Sequence, residues 1–382
     1  MPDVMMYVIW LIIGLWVLIA WGQAWRMGRQ ARQQSHPMFM LASTPFVSIL
    51  IPAWNERSTI AATLLALRES RYSEWEAVVI AGGPDGTEAY ARDLCKTWAQ
   101  FKVIAQPPRG KNAAFNVGYA EAKGDLIVLM DADCLVEPDW LANLLAPLTQ
   151  GYSAAVANYF ATEHTLISDQ FEMEKILAYE MRGETTLHGG AIAVQRQIIE
   201  QIGRFPESVT VGVDWDFDVR VSRLGVRKAF ARDAHHRTYL PNSLRRFSKD
   251  EIRWRRAHLQ LTLGLMGNPS DQGHPLLTSL SFYIMGGLFF AALPIGLLGS
   301  LSLGSMTPLW LATAFMVWVL LRRVNPAIST LAYTGDRGWL PQLWVTPALL
   351  IVSFFSGLIA LATLHKQIVF FQGPRPKVQK SG

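Results

Sequence analysis

Long apolar runs lie at both ends of the chain, and a mixed pattern lies between them. Residues 4–21 carry no charged side chain, and apolar runs return over 276–303, 307–321 and 343–363. Most of these runs are long enough to cross a bilayer as helices. The pattern therefore predicts an N-terminal transmembrane helix within residues 1–25 and a C-terminal transmembrane region of about three spans over 276–364.

Between these regions, short β-branched runs alternate with segments of helical length. This alternation predicts an α/β domain with a largely parallel sheet over residues 45–244. The predicted strands cover 47–51, 77–80, 102–105, 126–130 and 154–157. The predicted helices cover 58–69, 87–99, 113–122, 169–181 and 196–202.

A basic amphipathic segment over 245–272 joins this domain to the C-terminal region. Apolar residues recur at near-helical spacing, and six basic residues crowd its first half: Arg245, Arg246, Lys249, Arg253, Arg255 and Arg256. A core helix with a solvated charged face is one interpretation of this pattern. Because the segment leads directly into an apolar run, we expect instead an interface helix on the anionic cytoplasmic leaflet.

Composition and charge agree with an integral membrane protein. Hydrophobic residues make up 51% of the 382 residues and charged residues only 17%, below the quarter or so usual for soluble domains. Two cysteines cannot form a disulfide scaffold for a chain of this size. A net charge of +5 does not indicate a nucleic-acid partner.

The basic residues also predict an orientation. Arg26, Arg29 and Arg32 follow the first apolar run, whereas Asp3 is the only charged side chain before it. The positive-inside rule thus predicts a protein of the cell membrane with an external N-terminus and a cytoplasmic α/β domain. The C-terminus stays open: three spans would place it outside, but its basic residues favour the inside, and 325–340 could be partly re-entrant.

The strongest chemical motif is Asp131-Ala132-Asp133, directly after the apolar strand 126–130. In open α/β sheets, ligands bind beyond the carboxyl ends of the strands. Two carboxylates one residue apart at such an end can share a hard cation that also binds phosphate oxygens. The alternative is a pair of turn-forming or helix-capping aspartates.

Three further motifs are ambiguous alone. Pro52-Ala53-Trp54-Asn55-Glu56 ends the first strand, where a nucleotide could meet backbone amides, or it is only a turn. Arg109-Gly110-Lys111-Asn112 precedes a helix, as suits phosphate contact or a solvated surface. Asp214 and Asp216, the latter four residues before Arg220, suit a general base or a helix N-cap.

Taken together and in this order, the motifs resemble the membrane-bound members of glycosyltransferase family 2, whose catalytic domain has the GT-A fold. The resemblance runs from about Val47 to Trp254 and includes the flanking apolar runs. The matching segments are Ile51 to Glu56, Gly110-Lys111-Asn112 with Asn116 and Gly118, Asp131-Ala132-Asp133, Asp214 with Asp216 and Arg220, and Arg253-Trp254.

The resemblance implies a GT-A-type Rossmann-like domain that transfers a sugar, with inversion, from a nucleotide-sugar donor to a membrane lipid or lipid-linked glycan acceptor. A UDP-sugar is the expected donor, and Mg²⁺ or Mn²⁺ the expected cofactor. Asp133 and Asp131 are expected to hold the metal, and Asp214, Arg253 and Trp254 to act in catalysis. The expected donor contacts are Pro52, Ala53, Asn55, Glu56, Gly82, Lys111 and Asp131.

The chain departs from the family pattern at three places that bear on function. Ala81 to Pro84 replaces the usual Asp-Gly-Ser near the nucleobase, Val213 stands where a Glu commonly precedes the base, and Asp250 replaces the Gln of Gln-x-x-Arg-Trp. The change at Asp250 argues against the alternative of a processive polysaccharide synthase. A non-catalytic nucleotide-sugar-binding membrane protein is a further alternative, which the presence of Asp131, Asp133 and Asp214 disfavours.

Overall fold

The computed structural model describes residues 2–265 and 275–365, and the chain divides into two units. The sheet unit comprises Pro37–Glu163 and Glu184–Leu240. The helical unit comprises Met1–His36, His164–Gly183 and Pro241–Lys366. Residues 266–272 of the predicted interface helix and the basic tail after His365 lie outside the described residues.

The sheet unit contains eight strands in one mixed sheet. They are β1 (Val47–Trp54), β2 (Trp75–Gly82), β3 (Phe101–Ala105), β4 (Leu126–Met130), β5 (Leu135–Val136), β6 (Ala154–Ala161), β7 (Ala191–Gln195) and β8 (Lys228–Thr238). Their order is β3-β2-β1-β4-β7-β6-β8-β5. The five predicted strands are confirmed, and the structure adds β5, β7 and β8.

The sheet is mixed: six of its eight strands run in one direction, in agreement with the prediction of a largely parallel sheet, and β5 and β7 run in the opposite direction. Strands β3, β2, β1 and β4 are parallel, but β7 runs antiparallel to both β4 and β6. Because β7 is reversed, its first residue, Ala191, pairs with Met130, the last residue of β4. The segment that enters β7 therefore lies beside the segment that leaves β4.

The sheet unit also contains helices that pack on the sheet. They are α2 (Ile60–Arg68), α3 (Thr87–Cys95), α4 (Lys111–Glu121), α5 (Trp140–Thr149), α7 (Arg196–Gln201) and α8 (Val213–Arg223). Helix α4 packs closely on β2, since a Cβ on Gly118 would lie 2.7 Å from Cδ1 of Ile80. The core consists of alternate apolar residues of β1, β2 and β4 with α2 and α5.

The helical unit contains the remaining helices. They are α1 (Pro2–Gln33), α6 (Ser168–Lys175), α9 (Leu244–Leu265), α10 (Pro275–Leu303), α11 (Thr307–Arg322), α12 (Asn325–Thr334) and α13 (Gln342–Ala362). The predicted helix over 169–181 is α6, continued by a π-helical turn over Ile176–Met181, and it belongs to this unit rather than to the sheet unit.

Four stretches of the described helices are long and apolar enough to cross a membrane: Met6–Gln33, Leu280–Leu303, Thr307–Thr334 and Arg337–Ala362. Helix α1 runs alongside α11 and α12 in the same direction. Trp21 Nε1 donates to the Leu321 carbonyl at 3.0 Å, and Ser329 Oγ donates to the Ala24 carbonyl at 3.0 Å. A Cβ on Gly28 would overlap the Ser329 carbonyl, so glycine permits this close approach.

Candidate active site

The carboxyl end of β4 meets the Gly189-Gly190 turn. The Asp131 amide donates to the Gly190 carbonyl at 2.8 Å, which continues the β4–β7 pairing by one residue. A Cβ on Gly190 would lie 2.5 Å from the Cys134 Sγ, so no larger residue fits this turn without a shift. Asp131 is therefore held at a fixed backbone position, with its side chain half-exposed.

Lys111, the first residue of α4, lies beside Asp131 at the end of β4. Its ammonium group forms an ion pair with the Asp131 carboxylate and lies 5.5 Å from the centre of the Phe115 ring. Burial alone would lower the pKa of Lys111, but the carboxylates of Asp131, Asp214 and Asp133 outweigh it and raise the pKa above its ordinary value. The lysine therefore stays charged and lies within the field of three acidic side chains.

Asp214 lies in the first turn of α8, after Gly212, whose φ of +69° is a left-handed conformation that glycine adopts easily. One small cavity contacts Asp214, Lys111 and Asp131 together. Its other lining residues are Phe115, Leu129, Gly189, Gly190, Ile192, Phe205, Val213 and Phe217. Three charged groups from separate sequence motifs thus share one cavity whose other walls are mostly apolar.

Asp216 has different surroundings from Asp214. Its carboxylate accepts from Arg220 Nε and Nη2, both at 2.8 Å, and both side chains are largely buried. Arg220 Nη1 in turn donates to the carbonyls of Ile202 at 3.1 Å and Arg204 at 2.6 Å. The Asp216–Arg220 pair therefore fastens α8 to the turn after α7.

Two asparagines of α4 hold the segment that leads into α8. Asn112 Nδ2 donates to the carbonyls of Pro206 at 2.8 Å and Val209 at 3.2 Å. Asn116 exchanges hydrogen bonds with the Phe205 backbone, at 2.7 Å to its carbonyl and 3.3 Å from its amide. The motif around Lys111 therefore holds the segment 205–209, which leads to Asp214, in addition to supplying the lysine.

Asp218 is a positioning residue that sequence reasoning missed. Its Oδ1 accepts from the Leu187 amide at 2.9 Å and from the ammonium of Lys228 at 2.6 Å. These contacts anchor the segment before Gly189 to α8 and β8. No local pattern could indicate them, because Asp218 lies 31 residues from Leu187.

Asp133 lies deeper than Asp131, with only 7% of its surface exposed. Thr238 Oγ1 donates to its Oδ2 at 3.3 Å. Among residues 2–265 and 275–365, no group of three or more His, Cys, Asp or Glu side chains is placed to hold a metal ion. Asp131 and Asp133 therefore offer at most a two-carboxylate donor set.

The carboxyl ends of β1 and β2 form the second half of the crevice. Pro52 and Ala53 lie within β1, and a Cβ on Gly82 would lie 2.9 Å from the Trp54 ring, so Gly82 leaves no room for a side chain. Asn55 has a φ of +59°, and its Oδ1 has no hydrogen-bond partner among the described residues.

Glu56 points into the fold rather than toward solvent. It is 3% exposed, and its Oε2 accepts from Thr59 Oγ1 at 2.6 Å in the turn before α2. The Glu56 amide is not available to donate to a ligand, because it donates to Thr87 Oγ1 at 2.8 Å. Glu56 therefore fixes the backbone beside Asn55.

Arg253 and Trp254 lie on α9 in the helical unit. Arg253 Nη2 donates to Asp250 Oδ1 at 3.1 Å, and its guanidinium lies 5.6 Å from the centre of the Trp254 ring. Trp254 is 38% exposed and makes an edge contact with Phe171. Asp250, the departure from the family pattern, is thus an ionic partner of the arginine three residues later.

The fold matches a solved enzyme along almost its whole length. The mannosyltransferase PcManGT from Pyrobaculum calidifontis, solved in complex with GDP-Man and Mn²⁺, superposes with a TM-score of 0.60. The match covers 94% of this chain and 99% of that one at 17% identity. At this identity, the likeness is one of fold.

Sequence relatives carry the same activity in their names. Glycosyltransferase AglE of Haloferax volcanii is 25% identical over 51% of this chain and 67% of its own length. The beta-monoglucosyldiacylglycerol synthase of Trichormus variabilis is 26% identical over 56% of this chain and 52% of its own length. The matched stretches thus span about half to two thirds of these relatives.

Family models cover most of the chain. The model described as Glycosyl transferase family 2 matches residues 48–203, and that described as Glycosyl transferase family group 2 matches residues 126–362. The second match alone exceeds half of the 382 residues. The chain belongs to glycosyltransferase family 2, and it is a glycosyltransferase whose α/β domain has the GT-A fold.

Proposed function

We propose that this glycosyltransferase transfers a sugar from a nucleoside-diphosphate donor to a membrane lipid or lipid-linked acceptor, with inversion at the anomeric carbon. The observation that carries the proposal is the single cavity lined by Lys111, Asp131 and Asp214. It lies beyond the carboxyl end of a parallel strand, where open α/β sheets bind ligands. A cation and a carboxylate within one cavity suit a substrate that has both a diphosphate and a hydroxyl nucleophile.

Asp214 acts as the general base. In the transfer, the acceptor oxygen bonds to the anomeric carbon as the bond to the diphosphate breaks, and the acceptor proton passes to the Asp214 carboxylate. Asp216 is less suited to this role because its Oδ2 accepts from both Nε and Nη2 of Arg220 and it does not line the cavity. The Asp214 carboxylate lines the cavity, and among the described residues its one hydrogen bond is accepted from the Trp215 amide, at 3.0 Å.

The acidic pair after β4 suits Mg²⁺ or Mn²⁺. Magnesium sites commonly use one or two carboxylates and complete their coordination with substrate phosphates and water. Asp131 and Asp133 form such a set, with Asp133 held by Thr238. A bound divalent ion would neutralise charge on the departing diphosphate. Lys111 contributes a permanent positive charge to the same leaving group.

The donor's nucleoside end fits the crevice at β1 and β2. Pro52 and Ala53 form the end of β1, Gly82 forms the end of β2, and Asn55 lies in the turn after β1. Glu56 supports this turn from within through Thr59 and Thr87. A UDP-sugar is the donor we propose, as the resemblance of the motifs to the family implies.

The acceptor is proposed to be a lipid. The apolar helices are long enough to cross a bilayer, and a relative is named for synthesis on diacylglycerol. Arg253 and Trp254 are proposed to assist the departing diphosphate and to contact the acceptor, as their motif implies. The α/β domain is proposed to be cytoplasmic because Arg26, Arg29 and Arg32 follow the first apolar run.

A donor panel tests this function. Purified protein in vesicles of membrane lipid extract is given UDP-, GDP- and other nucleotide sugars with Mg²⁺ or Mn²⁺, and nucleoside diphosphate is measured. We expect one donor to yield diphosphate and a glycosylated lipid in equal amounts, and a chelator to stop both. Turnover that persists with the chelator, or a product that is a long soluble polysaccharide, would contradict the proposal.

A further inference from the structure

Helix α13 is apolar enough to span a bilayer, yet both of its ends contact polar helices. At its start, Gln342 Nε2 donates to the Leu166 carbonyl at 2.8 Å, and Thr346 Oγ1 donates to Gln170 Oε1 on α6 at 2.8 Å. Past its end, Arg256 Nη2 of α9 donates to Thr363 Oγ1 at 2.6 Å. About two turns before this end of α13, Ser356 also contacts α9: its hydroxyl lies 2.9 Å from that of Ser248.

Helices α6 and α9 lie on one side of any bilayer. They pack on each other through Phe171 of α6. The centre of its ring lies 5.9 Å from that of Phe247 and 5.7 Å from that of Trp254, both on α9. The Glu174 carboxyl of α6 also interacts electrostatically with Glu251 and Arg255 of α9. Among the described residues, no helix between α1 and α10 is long and apolar enough to cross.

The first half of α9 cannot enter the hydrocarbon. Eight of the residues 245–256 are charged: Arg245, Arg246, Lys249, Asp250, Glu251, Arg253, Arg255 and Arg256. Charged side chains at membrane depth are costly and rare. If α13 crossed the membrane from α6, its 21 residues would carry its far end about 30 Å away. That end, however, lies beside Arg256 and Gln260.

We propose that α13 does not span the membrane but lies in its cytoplasmic interface, with one apolar face in the acyl chains of the inner leaflet. Five of its six exposed large apolar residues recur at helical spacing on one face: Trp344, Ile351, Phe355, Leu358 and Ile359; the sixth, Leu361, lies to the side of that face. Trp344, at the start of this face, is 81% exposed. The opposite face carries Gln342, Thr346 and Ser356, all buried against the helical unit. The exposed face is therefore available to acyl chains, while the buried face packs within the helical unit.

The crossing of α13 with α10 agrees with this orientation. Their ring and glycine contacts involve residues 282–290 of α10 but only 354–357 of α13. Two neighbouring spans of this length would share contacts over many turns, whereas a steep crossing gives one short patch. Gly286 lies under the Phe354 ring and Gly357 beside Phe282, so the helices approach closely there.

This orientation also decides the number of crossings. Helices α1, α10 and α11 cross, α12 and α13 stay at the cytoplasmic face, and the chain after His365 is cytoplasmic. The basic tail residues Lys366, Arg375, Lys377 and Lys380 then obey the positive-inside rule. The inference needs a bilayer-inserted protein but no particular donor or acceptor.

Nitroxide labels can measure the depth of α13 directly. Single cysteines replace Trp344, Ile351 and Leu358, all exposed, and collision with oxygen and a water-soluble nickel chelate gives their depths in reconstituted vesicles. We expect three similar, shallow depths. A spanning α13 would place Ile351 deeper than both neighbours by about 10 Å, and that result would overturn the proposal. Ile284, Leu288 and Ile295 on α10, also exposed, are matched controls that must differ in depth.

The position of the tail is an independent test. Ser381→Cys should react with a membrane-impermeant maleimide only after cells are permeabilised, whereas Met306→Cys, in the exposed turn between α10 and α11, should react in intact cells. Labelling of Ser381→Cys in intact cells would overturn the proposal. Cys95 and Cys134 are buried, so the folded protein adds little background. These tests require no enzymatic turnover and can fail while the proposed sugar transfer holds.

Discussion

Asp214 and Asp216 lie two residues apart in the first turn of α8, but their surroundings give them different roles. The Asp216 Oδ2 accepts two hydrogen bonds from Arg220, which also donates to two backbone carbonyls after α7. Asp214 borders the cavity and lies within electrostatic reach of Lys111. Sequence alone left both aspartates open as base or N-cap, and the ion pair separates them.

Replacing Asp216 should therefore destabilise the protein. In Asp216→Asn, the largely buried Arg220 loses its charged partner, and we expect a loss of about 1–3 kcal/mol in the free energy of unfolding. Thermal unfolding of the detergent-solubilised protein measures this loss. Asp214→Asn is the matched control and should leave the midpoint nearly unchanged. Equal midpoints for both variants would contradict the structural role of Asp216.

Lys175 on α6 predicts a pH effect on stability. Burial, only partly offset by Glu172 and Glu180, lowers the pKa of Lys175 from 10.5 to about 8. Between these values the unfolded chain binds a proton that the folded protein does not. The resulting destabilisation, about 3 kcal/mol, is complete below pH 8 and is relieved as the pH rises to 10.5.

The test compares the wild type with Lys175→Met at pH 7 and pH 10. We expect the wild type to gain stability relative to the variant as the pH rises, because only the wild type is relieved of the penalty. The quantity compared is the change in the free energy of unfolding between the two pH values. Any pH-independent cost of the contacts that Lys175→Met loses cancels in this change. Lys96→Met, at an exposed position, should show no such change. A pH-independent difference for Lys175→Met would refute the assignment.

At the scale of elements, Gly286 is the glycine that most limits the α10–α13 crossing. A Cβ on Gly286 would overlap the Phe354 ring, whereas a Cβ on its neighbour Gly287 would meet nothing within 4 Å. We expect Gly286→Ala to cost about 1–3 kcal/mol through overpacking. Gly287→Ala should be neutral or stabilise by up to about 1 kcal/mol, as alanine favours a helix. The midpoints of thermal unfolding of the two variants measure this difference. Similar midpoints would argue against a close approach of α10 and α13 at Gly286.

Element prediction from the sequence succeeded where a short apolar run was present. The run over 126–130 is continuous and matches β4 residue for residue, and the run over 47–51, interrupted only by Ser48, lies within β1. Strand β8 was missed because Lys228–Thr238 contains Arg232, Asp233, His235, His236 and Arg237, which hide its alternation. Strand β7 was missed as well, and with it the antiparallel pairings of β7 with β4 and β6.

The candidate site was predictable in part for a similar reason. Lys111, Asp131 and Asp214 each follow a strand or begin a helix, positions that sequence patterns can indicate. The contacts of Asn112 and Asn116 with 205–209, and of Asp218 with Leu187, join segments 31 to 97 residues apart. No local pattern encodes such pairs, so only the folded chain reveals them.

At the scale of the whole molecule, metal use can be tested separately from catalysis. Asp133→Asn removes one oxygen donor of the two-carboxylate set, so donor affinity should lose its dependence on Mg²⁺ or Mn²⁺. Calorimetric titration of the donor with and without metal measures this change. Thr238→Val, which removes the hydroxyl that donates to Asp133, should give a smaller effect in the same direction. Undiminished metal dependence in Asp133→Asn would exclude it as a ligand.

The most direct test of the account is the turnover of Asp214→Asn at saturating donor and acceptor. Asparagine keeps the shape of the side chain but cannot accept the proton, and loss of a general base typically lowers the rate by about a hundredfold to ten-thousandfold. We predict a fall of that size with donor affinity unchanged in the same preparation. A near-normal rate would contradict the assignment of Asp214 as the base and, with it, the mechanism built on the cavity of Lys111, Asp131 and Asp214.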